Sequence, residues 1–519
     1  MHKIDMEKEY VVGVDIGSSK VTMAVGTRNS NGEVSVLGVE SRDVGESVKN
    51  GDIMNYVLLG KTIADMKATM EQEFELDINS AYVGMSGRSV YCVRYEDEVE
   101  ISNPTGCVRQ NEMRELQNRI DMVTSSSGDD IVDRIPLRYR IDGMQEVKNP
   151  IGSYGRKLSA TYLFVMISTP QVDMVRHALF QAHLQIAGLT VNPIVSPLLL
   201  VNKQEAEDGV LIVDIGSDLT DISIVRENKV WYFSSLPIGA SSISEDLYQF
   251  LHISKRDIDK IKHRYGSAIA ESIPENTSFS VQTSGRGKRQ ILQRNVAEII
   301  EERLKDITYF VDRELKGAKF INKVPCGVVL TGGSAYLQNI DELFARELKM
   351  EARLGNIFNG IDYDSYEKVC YPDSAAVGLL LYGAAHVACD VKQTGTPIRV
   401  IPPVEQPMEV TVSVVKKADT VEDVTTPPTV QETNVVAEQK DVEEEKSEEH
   451  DTNNSDETQG AKEITVEDNT ENTDDTENTD DTDDTDDSSE SKSKSGWLTG
   501  LLGWARNGLD RVFEKDDVL

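Results

Sequence analysis

The sequence VVGVDIGSSK at Val11–Lys20 returns later in the chain as VLIVDIGSDLT at Val210–Thr220. Each copy is an apolar run that ends in Asp-Ile-Gly-Ser and is followed, after a polar turn, by a second apolar run. Apolar runs broken by small turn residues predict consecutive antiparallel hairpins. The predicted return strands are Val21–Gly26 with Glu33–Val39 in the first copy, and Asp221–Val225 with Lys229–Phe233 in the second.

The turn of each copy has the composition of a phosphate-binding loop. Gly17 and Gly216 let the backbone approach an anion closely, and the serines and backbone N–H groups beside them can form a nest for phosphate oxygens. Asp15 and Asp214 precede these glycines, and such carboxylates can hold a hydrated Mg²⁺. Two loops of this kind that face each other would clamp a phosphate chain with a metal ion at its centre.

A third glycine turn ends the apolar strand Gly327–Gly333 (GVVLTGG). The chain continues through Ser334 into a predicted helix, Leu337–Leu348. A strand that leads through glycines into a helix can receive a nucleotide, because the helix N-terminus offers free N–H donors. Each motif alone is also compatible with an ordinary hairpin turn or strand-to-helix connection. The duplicated loop together with the later glycine turn favours a nucleotide site.

In these motifs the chain resembles the actin-like ATPase superfamily. The two Asp-Ile-Gly-Ser loops are similar to its two phosphate motifs, and LTGGSA at Leu330–Ala335 is similar to its adenosine motif. PDSAAVGLLLYGA at Pro372–Ala384 is similar to its second connecting helix, where Ala376 and Gly378 are small enough for a tight helix crossing. The resemblance implies an α/β fold of two lobes, built on a duplicated ribonuclease-H-like domain.

The resemblance covers residues 8–390 and implies a division into lobes. The first lobe is expected at residues 8–85 and 169–200, and the second at 201–390, with a connecting helix back to the first lobe at 372–390. The implied ligand is ATP with Mg²⁺, the metal being held through water by Asp15 and Asp214. The implied ATP-binding residues are Asp15, Gly17, Ser18, Ser19 and Lys20 in the first loop, Asp214, Gly216, Ser217 and Asp218 in the second, and Gly332, Gly333 and Ser334 in the third.

Two further residues resemble the pair that contacts ribose and adenine. They are Asp259 and Lys262, in the predicted helix Ile258–Tyr265, for which a solvated helix face is an equal alternative. Hydrolytic relatives place Gln or Glu in the first connecting segment to orient the attacking water. The equivalent segment Asn192–Leu200 (NPIVSPLLL) has neither, so no catalytic residue is assigned and hydrolysis is expected to be slow or absent.

Residues 86–168 form a compact α+β module inserted into the first lobe. The FtsA family of bacterial cell-division proteins carries an SHS2-like insertion, called 1C, that this stretch resembles in position and size. That resemblance implies roles in self-association and in contacts with later division proteins, and an ordinary insertion is the alternative. The elements predicted in and around it are strands Ala81–Ser86, a β pair over Ser89–Ile101, helix Gln110–Val123, strands Asp130–Tyr139, Arg140–Glu146 and Leu158–Ser168, and helix Pro170–Ala187.

Composition limits the compartment and the partners. The five cysteines are scattered and odd in number, which suits a reducing cytoplasm and gives no disulfide or metal framework.

The formal charge is −35, and residues 441–490 hold 23 Asp or Glu against two Lys. We therefore expect residues 396–494 to be a disordered acidic linker, with a root-mean-square reach of about 55 Å. The acidity also argues against nucleic-acid binding.

An amphipathic helix is predicted at residues 495–515, after this linker. On a helical projection, one half carries Trp497, Leu498, Leu501, Leu502, Trp504, Ala505, Leu509, Val512 and Phe513, and the other carries mainly polar groups that include Arg506 and Arg511. Trp and Leu on one face with Arg at the polar edge are typical of a helix that lies in an anionic membrane interface. Docking onto the protein's own core or a partner groove is the alternative.

The resemblance to FtsA implies a protein that forms filaments or oligomers with itself and holds FtsZ at the cytoplasmic face of the cell membrane, at the division septum. A pilus-assembly protein of the same fold is the second interpretation, although such proteins lack a spacer that ends in an amphipathic helix. A sugar or acetate kinase would need a substrate carboxylate and a second substrate pocket, for which no motif is present. A chaperone would need a β-rich peptide-binding domain where this chain has the acidic linker.

Overall fold

The structure is a computed structural model that describes residues 9–29, 33–125, 128–282, 287–320, 322–357, 361–362, 373–386 and 388–393. The predicted linker at 396–494 and the predicted amphipathic helix at 495–515 lie outside the described residues. No helix of the described segments is both long enough and apolar enough to cross a bilayer.

Strands and helices alternate along the described chain. The strands are β1 (Glu9–Ile16), β2 (Lys20–Arg28), β3 (Val34–Asp43), β4 (Val48–Lys49), β5 (Asp52–Ile53), β6 (Leu76–Ile78), β7 (Ser80–Met85), β8 (Val90–Glu100), β9 (Asp129–Ile141), β10 (Gln145–Val147), β11 (Lys157–Ser168), β12 (Gln185–Val191), β13 (Val210–Ile215), β14 (Thr220–Arg226), β15 (Lys229–Leu236), β16 (Ser278–Gln282), β17 (Lys288–Leu292), β18 (Val328–Thr331), β19 (Ala352–Leu354), β20 (Ile361–Asp362) and β21 (Val391–Gln393). The helices are α1 (Tyr56–Phe74), α2 (Gln110–Asp121), α3 (Thr169–Gln181), α4 (Asn192–Leu200), α5 (Lys203–Asp208), α6 (Ala240–Leu251), α7 (Lys255–Tyr265), α8 (Gln293–Gly317), α9 (Ile340–Leu348) and α10 (Ser374–Ala384).

The two main sheets repeat one topology. The first has the order β12-β7-β1-β2-β3-β20 and the second the order β15-β14-β13-β18-β19. In each, the strand that leads into Asp-Ile-Gly-Ser pairs antiparallel with the following strand and parallel with a strand further along the chain. The third strand of each hairpin run then pairs antiparallel with the second. The sequence duplication is therefore a duplication of the sheet, and the predicted two-lobed α/β fold is confirmed for the described residues.

The central strands are apolar along their whole length because helices cover the sheets. In β1 every residue after Glu9 is buried, which is the pattern of a strand with both faces covered rather than one face in water. Helix α10 lies against β1 and also crosses α4. A Cβ atom at Gly378 would lie 2.3 Å from the Val195 carbonyl oxygen, so this crossing requires glycine. The expectation of a tight crossing at Gly378 is confirmed.

The inserted module has its own small core. Its sheet has the order β10-β9-β11-β8, and α2 packs on the sheet through Leu116 and Ile120 against apolar side chains such as Tyr162 and Phe164. Phe164 stacks on Tyr95, with ring centroids 5.1 Å apart. An independent hydrophobic cluster of this kind identifies a folded unit rather than a long loop.

Three local predictions differ from the structure in the type or the extent of the element. The β pair expected over Ser89–Ile101 is the single strand β8, which pairs with β11. The helix expected over Pro170–Ala187 ends at Gln181, because Gln185–Val191 pairs with β7 as β12. The helix expected over Leu337–Leu348 is present as α9 but begins only at Ile340, after a 3₁₀ turn at Gly333–Tyr336. In each case strand pairing or backbone geometry overrode the local apolar pattern.

Candidate functional site

The two Asp-Ile-Gly-Ser loops have the same backbone geometry. The N–H of Gly17 donates to the carbonyl oxygen of Lys20 at 3.1 Å, and the N–H of Gly216 donates to that of Leu219 at 2.9 Å. A Cβ atom at Gly17 would lie 2.9 Å from the Lys20 oxygen, so a larger residue would open the turn. The duplicated sequence therefore encodes a duplicated loop whose backbone stays accessible to an anion.

Both loops and the third glycine turn line one cleft. The cleft has a free volume of about 370 Å³. Its predicted lining residues are Asp15, Gly17, Ser18, Ser19, Lys20, Asp214, Gly216, Ser217, Asp259, Lys262, Gly332, Gly333 and Ser334, and it is also lined by Ser86, Asn192, Leu219, Asp221, Ala240, His263, Tyr336, Leu337 and Ala375. Of the residues assigned from the sequence, Asp218 is not in the lining. Its carboxylate instead accepts a hydrogen bond from the N–H of Asn50 at 3.0 Å.

Among the carboxylates that line the cleft, Asp15 and Asp221 are buried and Asp214 is partly buried. Asp15 and Asp214 lie near the ends of the corresponding central strands of the two lobes, and Asp221 lies directly opposite Asp214 in the β13–β14 hairpin. Burial raises the pKa of Asp15 to about 6, that of Asp214 to about 8 and that of Asp221 to about 6. The charge of Asp221, and then that of Asp15, also raises the pKa of Asp214. A cluster of desolvated carboxylates is a strong attractor for a cation.

The donor set fits a hydrated Mg²⁺ better than a directly ligated metal. Within the described residues, no group of three or more His, Cys, Asp or Glu side chains is arranged to hold a metal ion by itself. Mg²⁺ usually keeps several water ligands and takes the others from one or two carboxylates and from phosphates. The nearby Lys20 ammonium is already paired with Asp373 at 2.7 Å, so it neutralises the cluster only at a distance.

The third glycine turn is built against the carboxylate cluster. Gly332 has a φ of 86°, in the left-handed region that favours glycine. A Cβ atom there would lie 2.4 Å from Oδ1 of Asp214 and 2.6 Å from the Ile215 carbonyl oxygen. No described atom lies within 4 Å of a Cβ built on Gly333, which faces open space. Position 332 therefore requires glycine, whereas position 333 has room for a side chain.

The residues assigned to ribose and adenine differ in burial. Lys262 is only 9 % exposed, and its Nζ donates to Ser244 Oγ at 2.7 Å, whereas the side chain of Asp259 is 63 % exposed and lies 3.5 Å from the same Nζ. Burial lowers the pKa of Lys262. Lys262 is therefore a fixed donor in the cleft wall, and Asp259 is a solvated carboxylate at its rim.

The first connecting segment contributes Asn192 to the cleft. Its Nδ2 donates to Oδ1 of Asp15 at 2.7 Å, while its own Oδ1 is buried and makes no hydrogen bond to another described residue. Sequence reasoning noted only what this segment lacks and missed Asn192 itself. It also missed Ser86 and Asp221, although Asp221 stands in the duplicated hairpin where the first copy has Thr22.

Two like sheets whose phosphate-type loops meet in a shared cleft define the actin-like fold. A solved structure described as the PilM-PilN type IV pilus biogenesis complex has this fold, with a TM-score of 0.52 over 72% of this chain and 98% of that one, at 17% identity. At that identity the likeness concerns the fold alone.

The chain is similar to the FtsA family of cell-division proteins over most of its described residues. A family model described as cell division protein FtsA matches residues 211–376, and one described as the SHS2 domain inserted in FtsA matches residues 83–166. The cell division protein FtsA of Pseudomonas aeruginosa is 26% identical over 378 residues, covering 72% of this chain and 89% of the relative. The FtsA of Escherichia coli K12 is 26% identical, covering 73% of this chain and 91% of the relative. The FtsA of Bacillus subtilis is 24% identical, covering 67% of this chain and 79% of the relative.

Proposed function

We propose that this cell-division protein binds ATP with Mg²⁺ in the interlobe cleft, associates with itself, and tethers FtsZ filaments to the cytoplasmic face of the cell membrane at the septum. The observation that carries the nucleotide part is the convergence of two duplicated glycine loops and a third glycine turn on one cleft with three desolvated carboxylates. Similarity to the FtsA family supports the cell-division part.

The roles of the cleft residues follow from their chemistry. The N–H groups and hydroxyls of the loops at Gly17 and Gly216 would hold the phosphate chain, and Asp15 with Asp214 would hold Mg²⁺ through its water ligands. When bound, Mg²⁺ supplies the positive charge that lets a polyphosphate lie beside these carboxylates. The turn at Gly332 and the buried Lys262 would bind the adenosine end.

We expect ATP turnover to be slow. The segment Asn192–Leu200 offers no carboxylate, and the Asn192 amide is held by Asp15 and cannot act as a general base. Phosphate release by the purified full chain should stay well below about 1 s⁻¹, the lower end of common enzyme rates. Contaminating activity is identified with Gly332→Asp, which should remove any rate that belongs to this cleft. A rate of about 10 s⁻¹ that disappears in this variant would show that another residue orients the water.

We expect self-association through the folded region. A head-to-tail interface that does not close on itself produces filaments, and the actin-like fold with its inserted module supports such an interface by analogy. Electron microscopy and sedimentation of the protein on anionic vesicles with Mg²⁺ and ATP should reveal oligomers or filaments. Particles that remain strictly monomeric at high protein concentration under these conditions would contradict the proposal.

The tether is proposed to be the C-terminal segment. The apolar arc of residues 497–513 with Arg506 and Arg511 supports binding to anionic lipid, and the acidic linker before it supports a long reach. The experiment that tests the complete function is flotation of anionic liposomes with the full chain and FtsZ. FtsZ should rise with the liposomes only when this chain is present. FtsZ that stays at the bottom although the chain floats would reject the tethering function.

The inserted module is proposed to contact later division proteins, and of its described residues only Ser86 lines the cleft. Binding to nucleic acid is not proposed, because the chain carries a formal charge of −35.

A further inference from the structure

The inserted module is connected to the nucleotide cleft through one buried carboxylate. Asp221 is 8 % exposed and accepts hydrogen bonds from Ser86 Oγ and from Ser235 Oγ, the latter at 2.5 Å. Ser86 lies between β7 and β8, at the point where the chain enters the module, and Ser235 lies on β15 of the second lobe. Two hydroxyls from different lobes therefore orient the same carboxylate.

This carboxylate is specific to the second copy of the duplicated hairpin. The equivalent position in the first copy is Thr22, whose Oγ1 makes a 2.9 Å hydrogen bond with Ser41 Oγ on β3. In the second copy Asp221 faces Ser235 on β15 in the same cross-strand relationship. The duplication thus keeps the hydroxyl partner and replaces a neutral residue by a charged one on the side that faces the module.

The entry point of the module is packed against both phosphate-type loops. A Cβ atom at Gly51 would lie 2.3 Å from the Ser86 carbonyl oxygen and 2.7 Å from the side chain of Leu219. The N–H of Gly51 also donates to Ser18 Oγ, at 2.9 Å. Because the atoms around Gly51 are closely packed, a displacement of either loop must move Ser86 or be opposed by it.

The module also rests on the strand that carries Ser235. Cys92 Sγ on β8 donates to the Phe233 carbonyl oxygen at 3.4 Å, and Lys229 Nζ on β15 donates to the Leu137 carbonyl oxygen at 2.8 Å. The guanidinium of Arg138 lies over the Trp231 ring, 5.9 Å from its centroid. The contact between β8 and β15 is called the seam. Through Ser86, just before β8, and Ser235, on β15, Asp221 is hydrogen-bonded to both sides of this seam, and it also lines the cleft.

We propose that Ser86 and Ser235 are positioning residues that couple nucleotide binding in the cleft to the position of the inserted module against the second lobe. The inference rests on the proposed nucleotide function of the cleft. A cation and phosphates that bind beside Asp221 change the electrostatic field on its carboxylate. The hydrogen bonds from the two hydroxyls then respond, which affects the position of Ser86 at the entry to the module and of Ser235 on β15. By linkage, a partner or second copy that moves the module changes nucleotide affinity by the same factor, commonly about 5- to 150-fold.

Trp231 provides a reporter at the seam. It is the one tryptophan outside the C-terminal segment, and its Nε1 donates to the Arg226 carbonyl oxygen at 2.9 Å. In the full chain carrying Trp497→Phe and Trp504→Phe, all tryptophan fluorescence comes from Trp231. We expect Mg²⁺ with a nonhydrolysable ATP analogue to change this emission. Affinity is measured separately by titration with a fluorescent ATP analogue.

The test compares alanine substitutions at three serines in the full chain that carries Trp497→Phe and Trp504→Phe. Ser86→Ala and Ser235→Ala should still bind nucleotide, about fivefold more weakly, and should lose the Trp231 response. The double variant should be no weaker than the weaker single variant, because both act through Asp221. Ser89→Ala is the matched control, since Ser89 lies in the same turn but contacts Asp52, at 3.5 Å, and should keep the response.

Thermal unfolding with and without nucleotide separates coupling from stability. A loss of the response with an unchanged difference between the free and bound unfolding midpoints would mean that only the reporter was disturbed, and would overturn the inference. The inference is also overturned if the wild-type protein binds nucleotide with no change at Trp231, or if Ser86→Ala responds like wild type. In those cases the proposed nucleotide site stands. Absence of nucleotide binding in every protein, wild type included, would reject both.

Discussion

Replacing Asp214 with alanine should reduce the affinity for Mg²⁺-ATP by about 100-fold, because the hydrogen bonds of its carboxylate to the water ligands of the metal together contribute about 3 kcal/mol. The loss should be confined to the Mg²⁺-dependent part of binding. Titration with a fluorescent ATP analogue in Mg²⁺ and in EDTA measures both parts. The variant and the wild-type protein should differ widely in Mg²⁺ and little in EDTA.

The Asp214→Ala variant should remain folded. Desolvation and the charges of Asp221 and Asp15 disfavour the ionised form of Asp214, so its removal should not lower the unfolding midpoint of the free protein. Asp208→Ala is the control of equal charge change, since Asp208 is exposed on α5 and outside the cleft lining. Equal affinities of Asp214→Ala and wild type in Mg²⁺ would reject the assignment of the metal site.

Neighbouring glycines give an independent test of the same cleft. Gly332→Asp should abolish nucleotide binding, because its Cβ alone would collide with Asp214 and the backbone of Ile215. Gly333→Ala should leave the unfolding midpoint unchanged, because its Cβ would meet no described atom within 4 Å. If Gly333→Ala nevertheless weakens nucleotide binding, the open space above Gly333 is occupied by the ligand.

Deletion of Gly496–Leu519 should abolish flotation with anionic liposomes and leave a folded, ATP-binding protein. The deleted segment holds two of the three tryptophans of the chain and an apolar arc on the helical projection. Flotation of the full and shortened chains on a density gradient measures the effect, and nucleotide titration shows that the folded region is intact. Equal flotation of both chains would place the anchor elsewhere.

Single substitutions distinguish an apolar anchor from a general loss of the tail. Trp504→Glu or Leu501→Glu should come close to the deletion, because each puts a charge into the apolar arc. Asn507→Glu makes a similar charge change on the polar face and is the matched control. Replacing Arg506 and Arg511 with alanine should weaken binding to anionic vesicles only, by about 1 kcal/mol per residue and more strongly at low salt. Equal effects of Trp504→Glu and Asn507→Glu would reject the amphipathic arrangement.

Much of the fold could be predicted because its decisive features are local. The apolar run before each Asp-Ile-Gly-Ser turn is long enough to be a covered central strand, and the glycine marks where it must turn. The predictions that were wrong lie where local pattern and long-range pairing disagree. Gln185–Val191 follows α3 and has a pattern compatible with its continuation, but its backbone pairs with β7. No local signal distinguishes the two outcomes.

The sequence by itself determined the duplicated hairpins, the three glycine turns and most of the turn residues that line the cleft, since these are short-range properties of turns and strand ends. Only the tertiary structure decided how the floor of the cleft is completed. Asn192 meets Asp15 across 177 residues of sequence, and Ser86 meets Asp221 across 135. A serine after a strand or an asparagine before a helix has no distinguishing pattern of its own. Its role arises when sheet pairing brings a buried carboxylate within hydrogen-bonding distance, because a desolvated charge requires donors wherever the fold supplies them.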